Sequence, residues 1–165
     1  MHQTAIYVTH DLEEAFSVAD RIILMNHGRV EQTGTPQQLF NAPSSPFVAR
    51  FLELTNLLDG EVINRAGISV LRTLVGEFPL SQPHQPGLVQ AILRPDFAVP
   101  GDGGVCTLEG TIKDRSFRGN WQRITCLVNQ VELIFDFPTS FALPAIGDVF
   151  ILSFDPAGGI LIYPR

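Results

Sequence analysis

Charge is scarce in this chain. Of its 165 residues, 17% are Asp, Glu, Lys or Arg, where an average soluble domain has about a quarter. Basic residues are the scarcer kind, 11 Lys and Arg against 17 Asp and Glu, for a net charge of −6. That balance excludes a general electrostatic grip on nucleic acid, which needs clustered cations. So lightly charged a surface also suits a chain that expects a covering partner. Cysteine is nearly absent. Cys106 and Cys126 are too few for a disulfide framework; both fall in β-like stretches, as buried free thiols or as one bridge. No apolar run approaches the roughly 20 residues of a membrane span, and no basic-then-apolar leader opens the chain. These absences point to the cytosol. His2, His27 and His84 are scattered, and no Cys or His pair has metal-ligand spacing. A phosphate-cradling G-x-x-x-x-G-K-[ST] loop is also missing. Gly101 to Gly104 is glycine-rich but has no such lysine and no following helix.

What is present divides into two textures. Hydrophobic residues make up 45%, enough for a packed core. The first part mixes strand and helix signals. Ala5-Ile6-Tyr7-Val8 is a short apolar run of β-formers and reads as a buried strand. A polar triplet, Thr9-His10-Asp11, follows it. Leu12 to Asp20 is predicted helical, with Asp11 as N-cap, Glu14 at the capping-box spacing, and Leu12, Ala15, Phe16 and Ala19 on one face. Arg21 to Met25 is a second apolar strand, Asn26-His27-Gly28 a turn, and Arg29 to Gln32 a third strand. Thr35-Pro36-Gln37-Gln38 starts a helix, with Pro at its first position. A further helix is predicted over Pro46 to Leu54. A polar triplet between a buried strand and a helix is where open α/β sheets place ligand-contacting groups, although a lone histidine at a strand end, such as His10, is by itself more often a polar surface residue.

From Leu57 onward the chain is short strands separated by Gly, Pro, Asn and Asp. Strands are expected over Leu58–Asn64, Ile68–Leu74, Glu77–Leu80, Leu88–Leu93, Thr107–Ser116, Gln122–Val128, Gln130–Phe137, Val149–Phe154 and Ile160–Tyr163. This spacing predicts a small closed barrel. A turn, Asp155 to Gly159, joins the last two. Lys113, Arg115, Arg118 and Arg123 gather around Phe117 and Trp121, but on a half of the chain that is acidic overall. A solvated loop is favoured there over a single-strand binding groove.

Val8-Thr9-His10-Asp11-x-x-Glu14-Ala15 resembles the switch-histidine segment of ABC-transporter ATPases, in the subfamily that powers solute importers. The likeness continues in order through Ala19-Asp20-Arg21-Ile22, Gly28-Arg29-Val30, Gln32-x-Gly34-Thr35-Pro36, Leu39-Phe40, Phe47-Val48-Ala49-x-Phe51-Leu52 and Asn56-Leu57-Leu58. Glu53 departs from it, standing where relatives commonly have glycine. The second half resembles the transport-associated OB-type domain of the same subunits, through Leu93-Arg94-Pro95-Asp96, Gly110-Thr111-Ile112, Phe117-x-Gly119 and Gly147-Asp148-Val149.

The resemblance implies an α+β fold class: residues 1–56 as the remnant of an α/β nucleotide-binding domain, then residues 57–165 as a small all-β OB-type barrel. It implies that His10 is a catalytic residue that donates to the γ-phosphate of ATP, in a family that uses ATP and Mg²⁺. Phosphoryl transfer is mostly positioning and charge stabilisation, and an imidazole N–H supplies one donor where charge concentrates. One donor is not an ATPase. The phosphate loop, the metal-holding strand carboxylates, the Leu-Ser-Gly-Gly-type signature and the glutamine loop are all missing, so no ATP hydrolysis and no cofactor are expected of this chain alone. The resemblance further implies integral-membrane permease partners, a homodimer and a place at the inner face of the cell membrane. In some families it implies a small-oxyanion regulator, for which Arg94, Arg115 and Arg118 are the candidate lining residues or else ordinary surface charges. The rival expectation is a stand-alone cytosolic regulatory or oxyanion-binding module. Bare strand edges at Ala5–Val8 and Arg21–Met25 would favour assembly.

Overall fold

A computed structural model describes residues 4–165; Met1 to Gln3, with His2 among them, lie outside the described residues. The chain forms two compact units that part between Glu53 and Leu54.

The first unit holds three short helices and one hairpin. Helix α1 spans Leu12–Val18, strands β1 and β2 span Ile22–Asn26 and Arg29–Gly34, and helices α2 and α3 span Pro36–Asn41 and Pro46–Phe51. The hairpin turns on His27 and Gly28, both at positive φ (46° and 77°), the two-residue geometry that matches the right-handed twist of paired strands. Thr35 completes a full capping box on α2. Its hydroxyl accepts the Gln38 N–H, and the Gln38 side chain accepts the Thr35 N–H at 2.9 Å. Ser45 caps α3 by its hydroxyl alone, which accepts the Val48 N–H, with Pro46 first in the helix. Glu53, at the position of the expected glycine, has φ of 61° just past α3, where glycine would avoid the Cβ penalty.

Two expectations are corrected in this unit. Residues 4–9 form no strand, and Ile6 and Val8 are 92% and 91% exposed. A strand that is apolar on both faces needs a ladder partner, and among the described residues β1 pairs only with β2. The helix after Asp11 also has its N-cap but no capping box. The Asp11 N–H goes to Thr9 Oγ1 rather than to Glu14. Ile23, Met25 and Val30 leave an exposed apolar surface on the hairpin.

The second unit is almost wholly β. One antiparallel sheet runs in the order β12-β6-β3-β4-β5, built from β3 (Leu57–Arg65), β4 (Ile68–Thr73), β5 (Gly76–Pro79), β6 (Gly87–Leu93) and β12 (Ile160–Pro164). The other runs β10-β9-β8-β11-β7, from β7 (Val99–Pro100), β8 (Cys106–Arg118), β9 (Trp121–Val128), β10 (Val131–Pro138) and β11 (Val149–Phe154). A 3₁₀ turn, Pro95–Phe97, precedes β7, and one helical turn, α4 (Pro156–Gly159), links β11 to β12. Alternate residues of each strand face inward (on β9 Gln122, Ile124, Cys126 and Val128 are buried), as period-2 strands over a single core require. Both sheets contribute to that core, and Phe78 of β5 meets Phe154 of β11 at 5.4 Å between ring centroids.

Long β8 pairs with β11 through residues 106–111 and with β9 through residues 111–118, with a bulge between Ile112 and Asp114. Gly110 sits at this crossing. A Cβ there would lie 2.6 Å from Cys126 Sγ and 2.7 Å from the Leu127 carbonyl oxygen, so only glycine lets the strands approach. The result is a pair of half-barrels, not the single closed barrel expected: among the described residues no ladder joins the two sheets. Edge strand β5 is four residues long and ends in Pro79, which has no N–H to extend a ladder. Edge strand β10 is already occupied by a side chain. Asn56, 2% exposed, donates from Nδ2 to the Ile134 carbonyl and accepts the Ile134 N–H at Oδ1, both at 2.7 Å. Its carboxamide thus stands in for a neighbouring strand. Asn56→Ala should lower unfolding free energy by about 2–3 kcal/mol, since two main-chain groups lose their partners. Urea unfolding measures this, and a loss near zero would mean that water replaces the amide.

Candidate functional site

The residues around His10 are tied together by one carboxylate. Glu14, in the first turn of α1, accepts from the Tyr7 hydroxyl at 2.8 Å (Oε1) and from the Thr9 hydroxyl at 3.0 Å (Oε2). Thr9 Oγ1 in turn accepts the Asp11 N–H at 3.0 Å, and Asp11 Oδ1 accepts the Glu14 N–H at 2.9 Å. The hydrogen bond to Glu14, with the carboxylate's charge behind it, pushes the Tyr7 hydroxyl above its ordinary pKa. Four side chains, at positions 7, 9, 11 and 14, therefore fix the loop, and His10 between them is exposed. The imidazole has no hydrogen-bond partner among the described residues. Chemically this is a donor held out on a fixed loop at the start of a helix. A shallow depression of about 320 Å³ in the same unit, lined by Phe16, Pro36, Gln37, Phe40 and Asn41, does not include it.

Two of the candidate oxyanion residues, Arg94 and Arg115, are engaged by partners within the chain. Arg94 is buried, 3% exposed at the side chain, and holds Asp96 through two bonds, Nε to Oδ1 at 3.1 Å and Nη2 to Oδ2 at 2.8 Å. Its guanidinium also lies 5.1 Å from the Phe97 ring centroid, a cation–π distance. Arg115 donates to Gln122 Oε1 at 2.6 Å and to the Leu143 carbonyl at 3.4 Å. Gln122, buried, passes its own N–H groups to the Pro138 and Phe141 carbonyls. Arg118 lies near the exposed end of the β8–β9 hairpin. Of the other cations near Phe117 and Trp121, Lys113 pairs with Glu132, and Arg123 forms a two-pronged pair with Asp136 at 2.8 Å for each bond. Arg123 and Asp136 are directly opposite on β9 and β10, a cross-strand pair of the kind that stabilises sheets, whereas Lys113 of β8 reaches Glu132 of β10 across the intervening β9. Sequence reasoning passed over the roles of Asn56, Asp96 and Gln122. The Arg94-Pro95-Asp96 triplet held the one usable signal, opposite charges two residues apart around a rigid proline.

Cys106 and Cys126 are buried free thiols. Cys126 pairs with Ile112, six residues along β8 from Cys106, or about 20 Å at strand rise, so no bridge joins them. Burial pushes the Cys126 thiol up from 9.0 to about 11 and the Tyr163 hydroxyl from 10.0 to about 12. The folded state keeps these protons after the unfolded chain would release them. Stability from this source is complete below about pH 9 and is lost as pH rises through the folded values. Cys126 alone should cost about 2 kcal/mol by about pH 11. Urea midpoints should fall across this range, and a thiol reagent at neutral pH should label neither cysteine until the protein unfolds. Flat midpoints would contradict the burial argument.

Within the second unit, residues 91–162 match the TOBE domain family. The unit's fold is similar to that of the cytoplasmic molybdate-binding protein ModG, with a TM-score of 0.51, over 67% of this chain and 96% of ModG. At 11% identity that likeness shows the fold alone. Sequence relatives carry the identification further. The chain is 34% identical to the spermidine/putrescine import ATP-binding protein PotA of Acidothermus cellulolyticus, across 94% of this chain and 44% of that protein. It is 50% identical to the sulfate/thiosulfate import ATP-binding protein CysA of Ralstonia nicotianae, across 60% of this chain and 25% of that protein. The chain is therefore similar to part of the ATP-binding subunits of ABC importers, and the segment that matches the TOBE family lies in its second unit. It spans less than half the length of these relatives.

Proposed function

We propose that this chain is the carboxyl-terminal part of an importer's ATP-binding subunit. The segment up to Asn56 is the end of the nucleotide-binding domain, and the half-barrels form a dimerisation and regulatory module. The alignment to PotA carries this reading, because it extends across 94% of the chain and so reaches well beyond the TOBE domain match at residues 91–162. In the intact protein His10 would donate to the γ-phosphate of ATP bound with Mg²⁺. The subunit would sit on the cytoplasmic side of permease partners and couple hydrolysis to solute import. The relatives are named for polyamine and for sulfate import, so the likeness assigns no solute. Among the described residues no helix is long and apolar enough to cross a membrane, consistent with a peripheral subunit. The exposed Ile6, Val8, Ile23 and Met25 suit a segment that is covered in a larger assembly.

By itself the chain should release no phosphate from ATP above a His10→Ala control, because the phosphate loop and the catalytic carboxylates are missing. A colorimetric phosphate assay decides this, and turnover that disappears with His10→Ala would refute the reading. The alternative, a stand-alone oxyanion-binding module, has less behind it. Arg94 and Arg115 direct their guanidinium groups at Asp96 and Gln122. Melting that responds to sulfate or molybdate would favour that alternative.

A further inference from the structure

The sequence has two Asp-Gly steps, Asp59-Gly60 and Asp102-Gly103, and they lie in opposite surroundings. Such a step is chemically weak. The glycine amide nitrogen can attack the aspartyl side-chain carbonyl, and a glycine offers no Cβ to obstruct it. Whether it does depends on backbone freedom.

Asp59-Gly60 is locked in β3. Both residues are laddered on one side to β6, Asp59 opposite Gln90 and Gly60 opposite Val89, and Gly60 is laddered on the other side to Thr73 of β4. The Asp59 carboxylate accepts from Gln90 Nε2 at 3.3 Å and from Arg165 Nη2. These bonds keep it ionised, below the ordinary carboxylate range, and an ionised carboxylate is a poor electrophile. Asp102-Gly103 lies in the irregular link between β7 and β8, in a run, Gly101 to Val105, that is exposed throughout. The Asp102 carboxylate has no hydrogen-bond partner among the described residues. A Cβ placed at Gly101 or Gly103 would meet nothing within 4 Å, so the backbone has open space around it.

We propose that Asp102 is a site of spontaneous isoaspartate formation, and so a methyl acceptor for repair by a protein-isoaspartyl methyltransferase. The Gly103 nitrogen bonds to Cγ of Asp102, and one carboxyl oxygen leaves as water, closing a succinimide. Water then opens the ring at either carbonyl. Opening at the α-carbonyl leaves the chain running through the β-carboxyl, with one more main-chain carbon and no change in mass. The repair enzyme transfers the methyl group of S-adenosylmethionine to the freed α-carboxylate. The added carbon falls two residues before Gly104, which packs tightly on Ser153 (a Cβ at Gly104 would lie 2.7 Å from Ser153 Cβ). It also falls directly after the Gly101 N–H bond to the Ile151 carbonyl at 2.9 Å. Conversion therefore strains the anchor of β7, which pairs with β11 through only two residues.

The test is ageing of the folded protein at neutral pH and 37 °C, then peptide mapping and methyl transfer by purified isoaspartyl methyltransferase with labelled S-adenosylmethionine. Label should accumulate on the peptide containing Asp102 at least about tenfold faster than on that containing Asp59, because the latter must first open its ladder. In urea the two rates should converge. Gly103→Ala should slow labelling at position 102 without moving the unfolding midpoint. Asp102→Asn should speed ring closure and be seen as deamidation. Equal labelling of the two folded sites, or none at Asp102, overturns the proposal.

Discussion

Replacing His10 by alanine should lower ATP turnover by about 10²–10³-fold in a hybrid import ATPase whose carboxyl-terminal segment is this chain. The hybrid supplies the phosphate loop, signature and carboxylates that the chain lacks, so the readout isolates one donor. In phosphoryl transfer charge spreads over the γ-phosphate oxygens as the bond to the leaving group breaks, and a fixed N–H aimed there is worth most in the transition state. The loss should therefore fall on kcat and leave KM for ATP nearly unchanged. Stability should not move, because the ring is exposed and bonded to none of the described residues. Its loop is held by Tyr7, Thr9, Asp11 and Glu14 instead. Glu14→Ala is the informative companion. It frees Tyr7 and Thr9 together, so it should lower kcat by loosening the loop while leaving the imidazole in place. If His10→Ala turns over like the parent hybrid, the γ-phosphate role is wrong.

The contrast between what could and could not be read from the sequence follows from the range of each interaction. Thr35, Pro36 and Gln38 predict a capped helix because the bonds that make the cap span three residues. His27-Gly28 predicts its hairpin for the same reason. The strands of the second unit were legible with ends correct to within two residues or so, since inward and outward residues alternate along each. The fate of Ala5–Val8 was not legible. Apolar β-formers give a propensity, but a strand exists only with partners, and composition cannot say whether partners are there. β7 was missed because two residues carry no periodicity; Val99–Pro100 is a strand only because β11 lies beside it. Asn56 was visible as a motif residue, yet its bonds reach Ile134, 78 positions away. His10 is the opposite case. Its candidate role came from the residues beside it, and those same residues build its loop.

Asp96→Ala should be the most destabilising of the polar substitutions, by about 3–5 kcal/mol. The reason is the asymmetry of the pair: Arg94 is 3% exposed at the side chain and Asp96 is 39%. Deleting the carboxylate takes two charge-assisted bonds from a buried guanidinium, whereas deleting the guanidinium leaves an aspartate that water can reach. Arg94→Ala should destabilise as well, because it also removes the stacking on Phe97. The double change Arg94→Met with Asp96→Ala should recover much of the loss, because a buried ion pair replaced by apolar groups of similar volume is often close to neutral. The site joins three elements. Arg94 directly follows β6 and gives its N–H to the Gly159 carbonyl at 2.8 Å. Asp96 and Phe97 lie in the 3₁₀ turn, and a Cβ at Gly158 would sit 2.2 Å from Phe97 Cε1. A charge left unbalanced here is felt on β6, β7 and α4 at once, so unfolding should stay cooperative while its midpoint falls. Urea denaturation of the four proteins measures the cycle. If the double variant is no more stable than Asp96→Ala, the buried charge is not the source of the cost, and the pair acts through the geometry of the turn instead.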